Sequence, residues 1–298
     1  MKGKTVLLMI VSTIAFAVVN GIVKYLDGYG EYQLVFFRCI VSLFISFVQL
    51  KALRISIWGN NRPILITRGL AGVVALIMGF ALIKNIPLGT AVMLIYLSPI
   101  FTALIAVYWL KEKIKTIQWF YLLVCVLGVF ILKKGEISLT LEMLLLGFGA
   151  SSIAGLAYNC VRVCRKTDHP LVVVFYFPLI GAPVSFLLIF LFQEWVWPSA
   201  VDWLLILALG SFTQIAQIAL TKALQGDTAA NAIVLKYLGV IHAFFIGWFF
   251  FNETITLLSS AGIIIVLIGI ILFSWKTKSK KQKIKKRMSR NDILDDQQ

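Results

Sequence analysis

Four cationic side chains lie inside apolar stretches of this sequence, where charge is rare: Arg38, Arg68, Arg162 and Lys236. A charge within a membrane-crossing segment is costly, so such residues usually face a polar cavity and meet a partner of opposite charge. Lys236 lies deep in its apolar run and is the first candidate for binding a substrate or coupling ion. Arg38 is the second. The alternatives are a lysine paired with backbone carbonyls and an arginine that only holds helices together.

Arg68 and Arg162 lie near the ends of their apolar runs. Long basic side chains in that position extend their charge to the membrane surface, so we expect a structural role for both.

Uncharged polar and aromatic residues form a second set of candidates for substrate binding. The polar residues of 214–225 recur on one helical face, and Asn159 extends a stripe of small residues. The alternatives are hydrogen bonds between helices for the amides and core packing for the tyrosines. The set is Gln214, Gln217, Asn159, Asn20, Tyr96 and Tyr237.

The composition shows what must position these side chains. Of 298 residues, 60% are hydrophobic and only 14% are charged, with a mean hydropathy of +0.93. This excludes a soluble enzyme, a nucleic-acid binder and a secreted disulfide scaffold.

A spanning helix needs about 20 apolar residues, so the length of the chain accommodates roughly ten such helices. Because lipid cannot hydrogen-bond to the backbone, we predict an all-α membrane protein. The predicted spans are 5–25, 31–50, 64–83, 88–110, 116–133, 141–163, 170–193, 202–224, 228–250 and 256–275.

The distribution of basic residues predicts the orientation. With a cytoplasmic N-terminus, eleven Lys and Arg fall in inner loops and four in outer loops, as the positive-inside rule requires. Nine of the 28 basic residues lie between Lys276 and Arg290. We interpret this tail as a cytoplasmic segment that faces anionic lipid, not nucleic acid. The sequence therefore predicts a multi-pass protein of the plasma (inner) membrane with both termini in the cytoplasm.

An internal repeat at an offset of 141 residues divides the chain. Each copy contains five predicted spans, so the second copy must cross the membrane in the opposite sense. Inverted repeats are typical of secondary transporters, which bind substrate at the repeat interface. The predicted units are 1–138, 139–275 and the tail 276–298. The offset superposes, among others, Lys24 on Arg165, Tyr96 on Tyr237, Leu97 on Leu238, Glu112 on Glu253 and Gly128 on Gly269.

Helix-breaking residues recur at matching depth in the two copies. Pro99 and Gly239 each follow the paired Tyr-Leu and fall one residue apart after the shift. Proline and glycine weaken a helix. We therefore predict hinges at both positions and alternating access by rocking of the two halves.

The sequence offers no other chemistry. It contains no phosphate-binding G-x-x-x-x-G-K-[ST] motif, no Asp or Glu in the middle of a predicted span, and no cysteine-histidine set that would hold a metal. We predict no enzyme activity and no cofactor. Transport by a facilitator or exchanger fits better than transport driven by ATP or by a buried carboxylate.

The strings LVFFRCIVSLF (34–44), 68–114 and 221–255 resemble the drug/metabolite transporter superfamily, EamA family, most closely its S-adenosylmethionine and riboflavin carriers. The resemblance implies a five-plus-five fold around a central cavity. It also implies that the fifth and tenth helices are peripheral and take part in dimer contacts in some relatives. The position of Lys236 resembles that of a lysine in the related sugar-phosphate translocators, where the lysine contacts the anionic substrate.

The sequence therefore predicts a secondary transporter for a small organic metabolite with an anionic group. A flippase for lipid carriers and a membrane scaffold without transport activity are the alternatives.

Overall fold

The computed structural model is helical over the residues that it describes, which are 2–109, 111, 116–135, 139–225, 236–254 and 256–272. The predicted start of the ninth span, Glu112 and the basic tail lie outside this part of the chain. The helices are α1 (Lys2–Tyr25), α2 (Glu31–Ala52), α3 (Arg62–Asn85), α4 (Leu88–Ile95), α5 (Ser98–Trp109), α6 (Thr116–Gly135), α7 (Leu141–Cys164), α8 (Pro170–Phe192), α9 (Ala200–Gln225), α10 (Leu238–Phe251) and α11 (Leu257–Leu272).

Seven segments of the described chain are long and apolar enough to cross a membrane. They match seven of the predicted spans to within two residues at each end. The predicted spans 116–133, 228–250 and 256–275 correspond in position to α6, α10 and α11. The seven segments are Thr5–Tyr25, Glu31–Ala52, Arg62–Asn85, Leu88–Trp109, Leu141–Cys164, Pro170–Phe192 and Ala200–Leu224.

Local sequence explains where several helices begin and end. The Thr140 side chain accepts a hydrogen bond from the backbone N–H of Met143 and caps α7. Pro170 occupies the first position of α8, where its missing N–H would be unpaired in any case. Asn252 ends α10 in the left-handed conformation, with φ of 50°.

The fourth span, predicted over 88–110 with a hinge at Pro99, is interrupted just before that residue. Pro99 has no N–H to donate to the carbonyl of Ile95, and its ring would clash with that carbonyl in a straight helix. The chain therefore turns at Tyr96 and Leu97, and α5 starts at Ser98. The Tyr96 N–H bonds to the carbonyls of Val92 and Met93 at 2.9 and 3.1 Å.

The main helix contacts join the first half of the chain to the second. α3 packs on α7 and α8, α2 packs on α8 and α9, and α1 packs on α9 and α10, while α4 contacts α10 and α5 contacts α7. Small residues permit the closest approaches. A Cβ added at Gly155 of α7 would lie 2.8 Å from the backbone nitrogen of Thr102 in α5. Any space that remains in the centre of the bundle is therefore bounded by both halves.

Candidate substrate-binding cavity

A cavity of about 130 Å³ lies at the meeting of the two halves. Its walls come from α1, α2, α3, α4, α7, α8 and α9, together with Lys236 just before α10. Three cations line it, and none of its described lining residues is Asp or Glu. The lining residues are Phe16, Val19, Asn20, Arg38, Arg68, Gly72, Ala75, Leu76, Gly79, Phe80, Ile83, Val92, Ile95, Tyr96, Ala154, Ala157, Tyr158, Phe177, Gln217 and Lys236.

Lys236, the first candidate from the sequence, is buried in the cavity wall with 7% of its surface exposed. Its ammonium donates hydrogen bonds to the Tyr158 hydroxyl at 2.9 Å and to Ser98 Oγ at 3.4 Å. It also lies over the rings of Tyr96 and Tyr158, 4.6 and 4.4 Å from the centroids. Neutral groups and aromatic faces thus hold this charge, and such contacts compensate only part of its lost hydration.

Arg38 and Arg68 lie against a single aromatic ring. Their guanidinium carbons are 5.6 and 5.2 Å from the centroid of Phe177, and Arg38 also lies 5.5 Å from the ring of Phe80. The two side chains are only 3% and 4% exposed, and the Nε–H of each has no hydrogen-bond acceptor in the described chain.

The prediction that Arg68 extends its charge to the membrane surface is wrong. Its side chain turns inward because Gly72, one turn later on α3, leaves room for it. A Cβ at Gly72 would lie 2.3 Å from Arg68 Nη1. Arg162, for which the same prediction was made, does not line the cavity, and it donates a hydrogen bond to Asn159 Oδ1 at 3.1 Å.

The predicted hinge residues adjoin the cavity. The break that Pro99 produces places the Tyr96 ring on α10, where a Cβ at Gly239 would lie 2.5 Å from the Tyr96 hydroxyl oxygen. The rings of Tyr96 and Tyr237 meet with centroids 6.4 Å apart. Tyr96 lines the cavity, whereas Tyr237 is buried behind it.

The predicted glutamine pair is divided between two environments. Gln217 faces the cavity. Gln214, three residues earlier, turns to α2, where its amide donates to Ser46 Oγ at 2.7 Å and to Gln49 Oε1 at 3.3 Å. Gln214 therefore joins two helices in this structure and does not line the cavity.

The predicted asparagines separate in the same way. Asn20 lines the cavity. Asn159 is fully buried, and its amide donates to the carbonyls of Thr102 at 2.9 Å and Gly155 at 3.1 Å. Its hydrogen-bonding groups are used in packing α7 against α5.

Tyr158 is the functional candidate that the sequence analysis missed. It precedes Asn159, and because consecutive helical residues point about 100° apart, it faces the cavity when Asn159 faces α5. The stripe of Gly155 and Asn159 marks the packing face of α7, so a neighbouring face had to meet the cavity. The stripe of small residues in the sequence could therefore have identified Tyr158 as a cavity residue.

A partly buried ion pair lies at one end of the bundle, which we call the Lys24 end. The Lys24 ammonium lies 2.5 Å from Glu253 Oε1 and donates to the carbonyl of Ile86 at 2.9 Å. Both Glu253 oxygens accept the N–H of Leu88, at 2.8 and 3.0 Å, in the first turn of α4. A carboxylate at a helix N-terminus is favourable because unpaired N–H groups point towards it.

Further polar contacts reinforce the Lys24 end. The Tyr29 hydroxyl donates to Asp202 Oδ2 at 2.7 Å. Burial, together with this bond, raises the pKa of Tyr29 above its ordinary value. Lys84 Nζ donates to the Tyr29 carbonyl, and Gln33 Nε2 donates to the Val196 carbonyl at 2.6 Å. These bonds tie the ends of α2 and α3 to neighbouring segments of both halves.

The described residues contain no cluster of three or more His, Cys, Asp or Glu that could hold a metal ion. Cys39, Cys125, Cys160 and Cys164 are buried as free thiols, as is typical of cysteines that serve as small packing residues.

A broken helix beside a charged cavity in a multi-pass bundle is typical of membrane transporters, and comparison with known proteins identifies the family. The model of the EamA-like transporter family matches the chain twice, over residues 3–133 and 141–275. The chain belongs to this family. The expected resemblance is thereby confirmed.

Several proteins similar to this chain are named as transporters of small metabolites. The chain is 28% identical over 272 residues to the "Pseudopaline exporter CntI" of Pseudomonas aeruginosa, covering 90% of this chain and 95% of that protein. It is 23% identical to the "Riboflavin transporter" of Vibrio cholerae, covering 92% and 94%. It is 30% identical over 168 residues to the "S-adenosylmethionine uptake transporter" of Rickettsia prowazekii, covering 56% of each.

The fold also has a counterpart among solved structures. One crystal structure superposes with a TM-score of 0.68 at 17% identity, covering 93% of this chain and 99% of that chain. At this identity the similarity supports the fold alone.

Proposed function

We propose that this protein is a secondary transporter that moves a small organic metabolite with an anionic group by alternating access, without converting it chemically. One observation carries the choice of substrate: Arg38, Arg68 and Lys236 line one cavity whose described lining contains no carboxylate. Buried charges are stable only when paired or solvated. An anionic substrate would supply the missing pairing.

The proposed architecture is ten spans in two inverted repeats, 1–138 and 139–275. Two matches to one family model support it. The helix contacts give independent support. Exchanging α1 with α7, α2 with α8, and α3 with α9 converts the α3–α7 contact into the α9–α1 contact and the α3–α8 contact into the α9–α2 contact. Both members of each pair occur, as a two-fold relation between the halves requires.

The proposed motion opens and closes the two ends of the cavity in turn. The Lys24–Glu253 pair belongs to the closed state of its end, because Lys24 and Leu88 come from one half and Glu253 comes from the other. Pro99, at the break between α4 and α5, and Gly239, in the first turn of α10, would provide the bending points. Since no described residue of the cavity wall is a carboxylate, we propose a facilitator or exchanger, with coupling through the charge of the substrate itself.

The positive-inside count supports a plasma (inner) membrane protein with both termini in the cytoplasm, which places the Lys24 end outside. Binding of anionic lipid by residues 276–298 and formation of a homodimer stay predictions.

Flux measurements in proteoliposomes test the proposal. Purified protein should show saturable counterflow of at least one labelled organic acid or organic phosphate in a panel that includes neutral and cationic metabolites of similar size. Lys236→Met keeps the apolar stem of the side chain and removes its charge, so we expect at least a tenfold loss of flux. Lys222→Met, at an exposed position of α9, is the matched control and should leave flux unchanged.

Two outcomes would contradict the proposal. One is saturable flux of neutral or cationic compounds only, and the other is full flux in Lys236→Met. Flux should also persist when a protonophore collapses the pH gradient, and complete loss would overturn the assignment as facilitator or exchanger.

A further inference from the structure

The cations of the cavity fall into two groups with different surroundings. Arg38 and Arg68 both lie against the ring of Phe177. Lys236 lies against the rings of Tyr96 and Tyr158. The arginines and the lysine are therefore held by different rings of one cavity wall.

The arginine pair is arranged to bind a ligand. An aromatic ring accepts no N–H hydrogen bond in the plane of a guanidinium beside it, so the N–H donors can bind a planar carboxylate or a phosphate. Both side chains are more than nine-tenths buried, and the Nε–H of each lacks an acceptor. Buried donors in folded proteins are almost always paired, so these two indicate a ligand that completes the pairing.

Lys236 offers a second set of donors. An ammonium has three hydrogens, and its two hydrogen bonds run to the neutral oxygens of Tyr158 and Ser98. The Tyr158 oxygen accepts from Lys236, so its own hydrogen can be donated to a ligand oxygen. No described carboxylate of the wall competes for either set of donors.

We infer that the cavity contains two anion subsites, one formed by Arg38 and Arg68 on Phe177 and the other by Lys236 and Tyr158. The substrate is therefore an organic acid with two separate anionic groups, carboxylate or phosphate. This inference rests on the proposed transport function and specifies its substrate class. A single negative charge would leave two of the three cations unneutralised.

The space between the subsites sets the size of the linker. The cavity wall also includes apolar residues such as Leu76, Ile95 and Ala154. The cavity volume is about 130 Å³, which favours a small substrate. The linker should therefore be short and apolar, a few carbon atoms long.

Equilibrium binding to the purified full-length protein tests the two subsites. The probes are the dicarboxylates from malonate to adipate, the monocarboxylates of equal carbon number, and 3-phosphonopropionate, all at pH 7 and constant ionic strength. We expect the best dicarboxylate to bind at least tenfold more tightly than its monocarboxylate, with an optimum in chain length. Comparing 3-phosphonopropionate with succinate shows which anionic group the subsites prefer.

Substitutions test whether Arg68 is the residue that makes dicarboxylates bind more tightly than monocarboxylates. Arg68→Gln should remove the preference for dicarboxylates and leave monocarboxylate affinity within about twofold. Arg62→Gln, which removes an exposed arginine near the start of the same helix, should change neither affinity.

A glycine substitution tests the same subsite without removing its charge. A Cβ at Gly72 would meet Arg68 Nη1 at 2.3 Å and the Phe177 ring at 2.7 Å. Both neighbours are side-chain atoms that can move, so Gly72→Ala should fold and should weaken dicarboxylate binding. Gly21→Ala on α1, where a Cβ meets only the Ile246 side chain at 3.2 Å or more, is the control.

The outcomes separate this inference from the proposed function. Equal affinities for mono- and dicarboxylates, both lost in Lys236→Met, would overturn the two subsites and leave anion transport standing. A dicarboxylate preference that survives in both Arg68→Gln and Gly72→Ala would also overturn them. If no anion binds while a neutral or cationic metabolite is transported, both proposals fail.

Discussion

Removing the charge of Glu253 should open the Lys24 end of the bundle. The Glu253 carboxylate joins three elements at once, since it follows α10, pairs with Lys24 at the end of α1, and accepts the first free N–H of α4 at Leu88. Glu253→Gln keeps the size of the side chain and an oxygen that can accept from Leu88, but it loses the ion pair.

The magnitude follows from the burial of the pair. Side chains that are only 17% and 12% exposed lie between surface pairs, worth about 0–1 kcal/mol, and fully buried pairs, whose breakage costs about 3–5 kcal/mol. The charge at the helix N-terminus adds roughly 0.3–1 kcal/mol. We therefore expect the closed state to lose about 2 kcal/mol, which shifts its equilibrium with the open state roughly 30-fold.

Cysteine labelling measures this shift. Val92 lines the cavity below the first turn of α4 and is almost fully buried. In a background without the four native cysteines, Val92→Cys should react with a membrane-impermeant thiol reagent applied from the Lys24 side. Its rate should rise roughly 30-fold in Glu253→Gln, in proportion to the open population. Glu194→Gln, at an exposed carboxylate on the same end, should leave the rate unchanged.

A double-mutant cycle with Lys24→Met separates the ion pair from other effects of the substitution. The two changes should be strongly non-additive, because either one alone breaks the same bond. An unchanged labelling rate, an equal rise in Glu194→Gln, or additive effects would refute the assignment of this pair as a closing contact.

Two further substitutions test the hinge and the packing of the bundle. Pro99→Ala restores a backbone N–H and should make α4 and α5 continuous, so we expect about a tenfold slower counterflow with nearly unchanged substrate affinity; equal loss of both would argue against a hinge. Gly155→Ala forces a Cβ to 2.8 Å from the backbone nitrogen of Thr102, which should destabilise the protein by about 1–3 kcal/mol. Its thermal unfolding should show a lower Tm, whereas Gly28→Ala, in open space, should not.

The helices could be predicted from the sequence because lipid imposes a simple rule. A spanning segment must be long, apolar and hydrogen-bonded within itself, and breakers such as Pro63, Pro87 and Pro170 mark its limits. Seven segments follow this rule to within two residues. Lys236 and Arg38 could be recognised as cavity residues in the same way, since each lies too deep for an uncompensated charge.

The direction in which a side chain points could not be predicted. Arg68 lies close enough to the start of α3 to reach the surface, but space beside Gly72 and the ring of Phe177 from α8 draw it inward. Gly72 is one turn away on the same helix, but Phe177 is far from Arg68 in sequence, so the contact between them could not be foreseen. Gln214 and Gln217 share a broad helical face, yet only the neighbouring helices decide that Gln214 bonds to α2 and Gln217 faces the cavity.

In the proposed mechanism, substrate binding and the movement of the two halves would both involve the contacts of Lys236. Its ammonium belongs to the second half, and one of its two hydrogen bonds crosses to Ser98 in the first half, directly beside the break that Pro99 produces. The Tyr96 ring beneath it also belongs to the first half. An anion that draws the ammonium away from Ser98 would therefore weaken contacts between the halves exactly where the helices are already interrupted. Coupling substrate binding to rocking then requires no carboxylate in the cavity, because the substrate itself changes which half Lys236 is bound to.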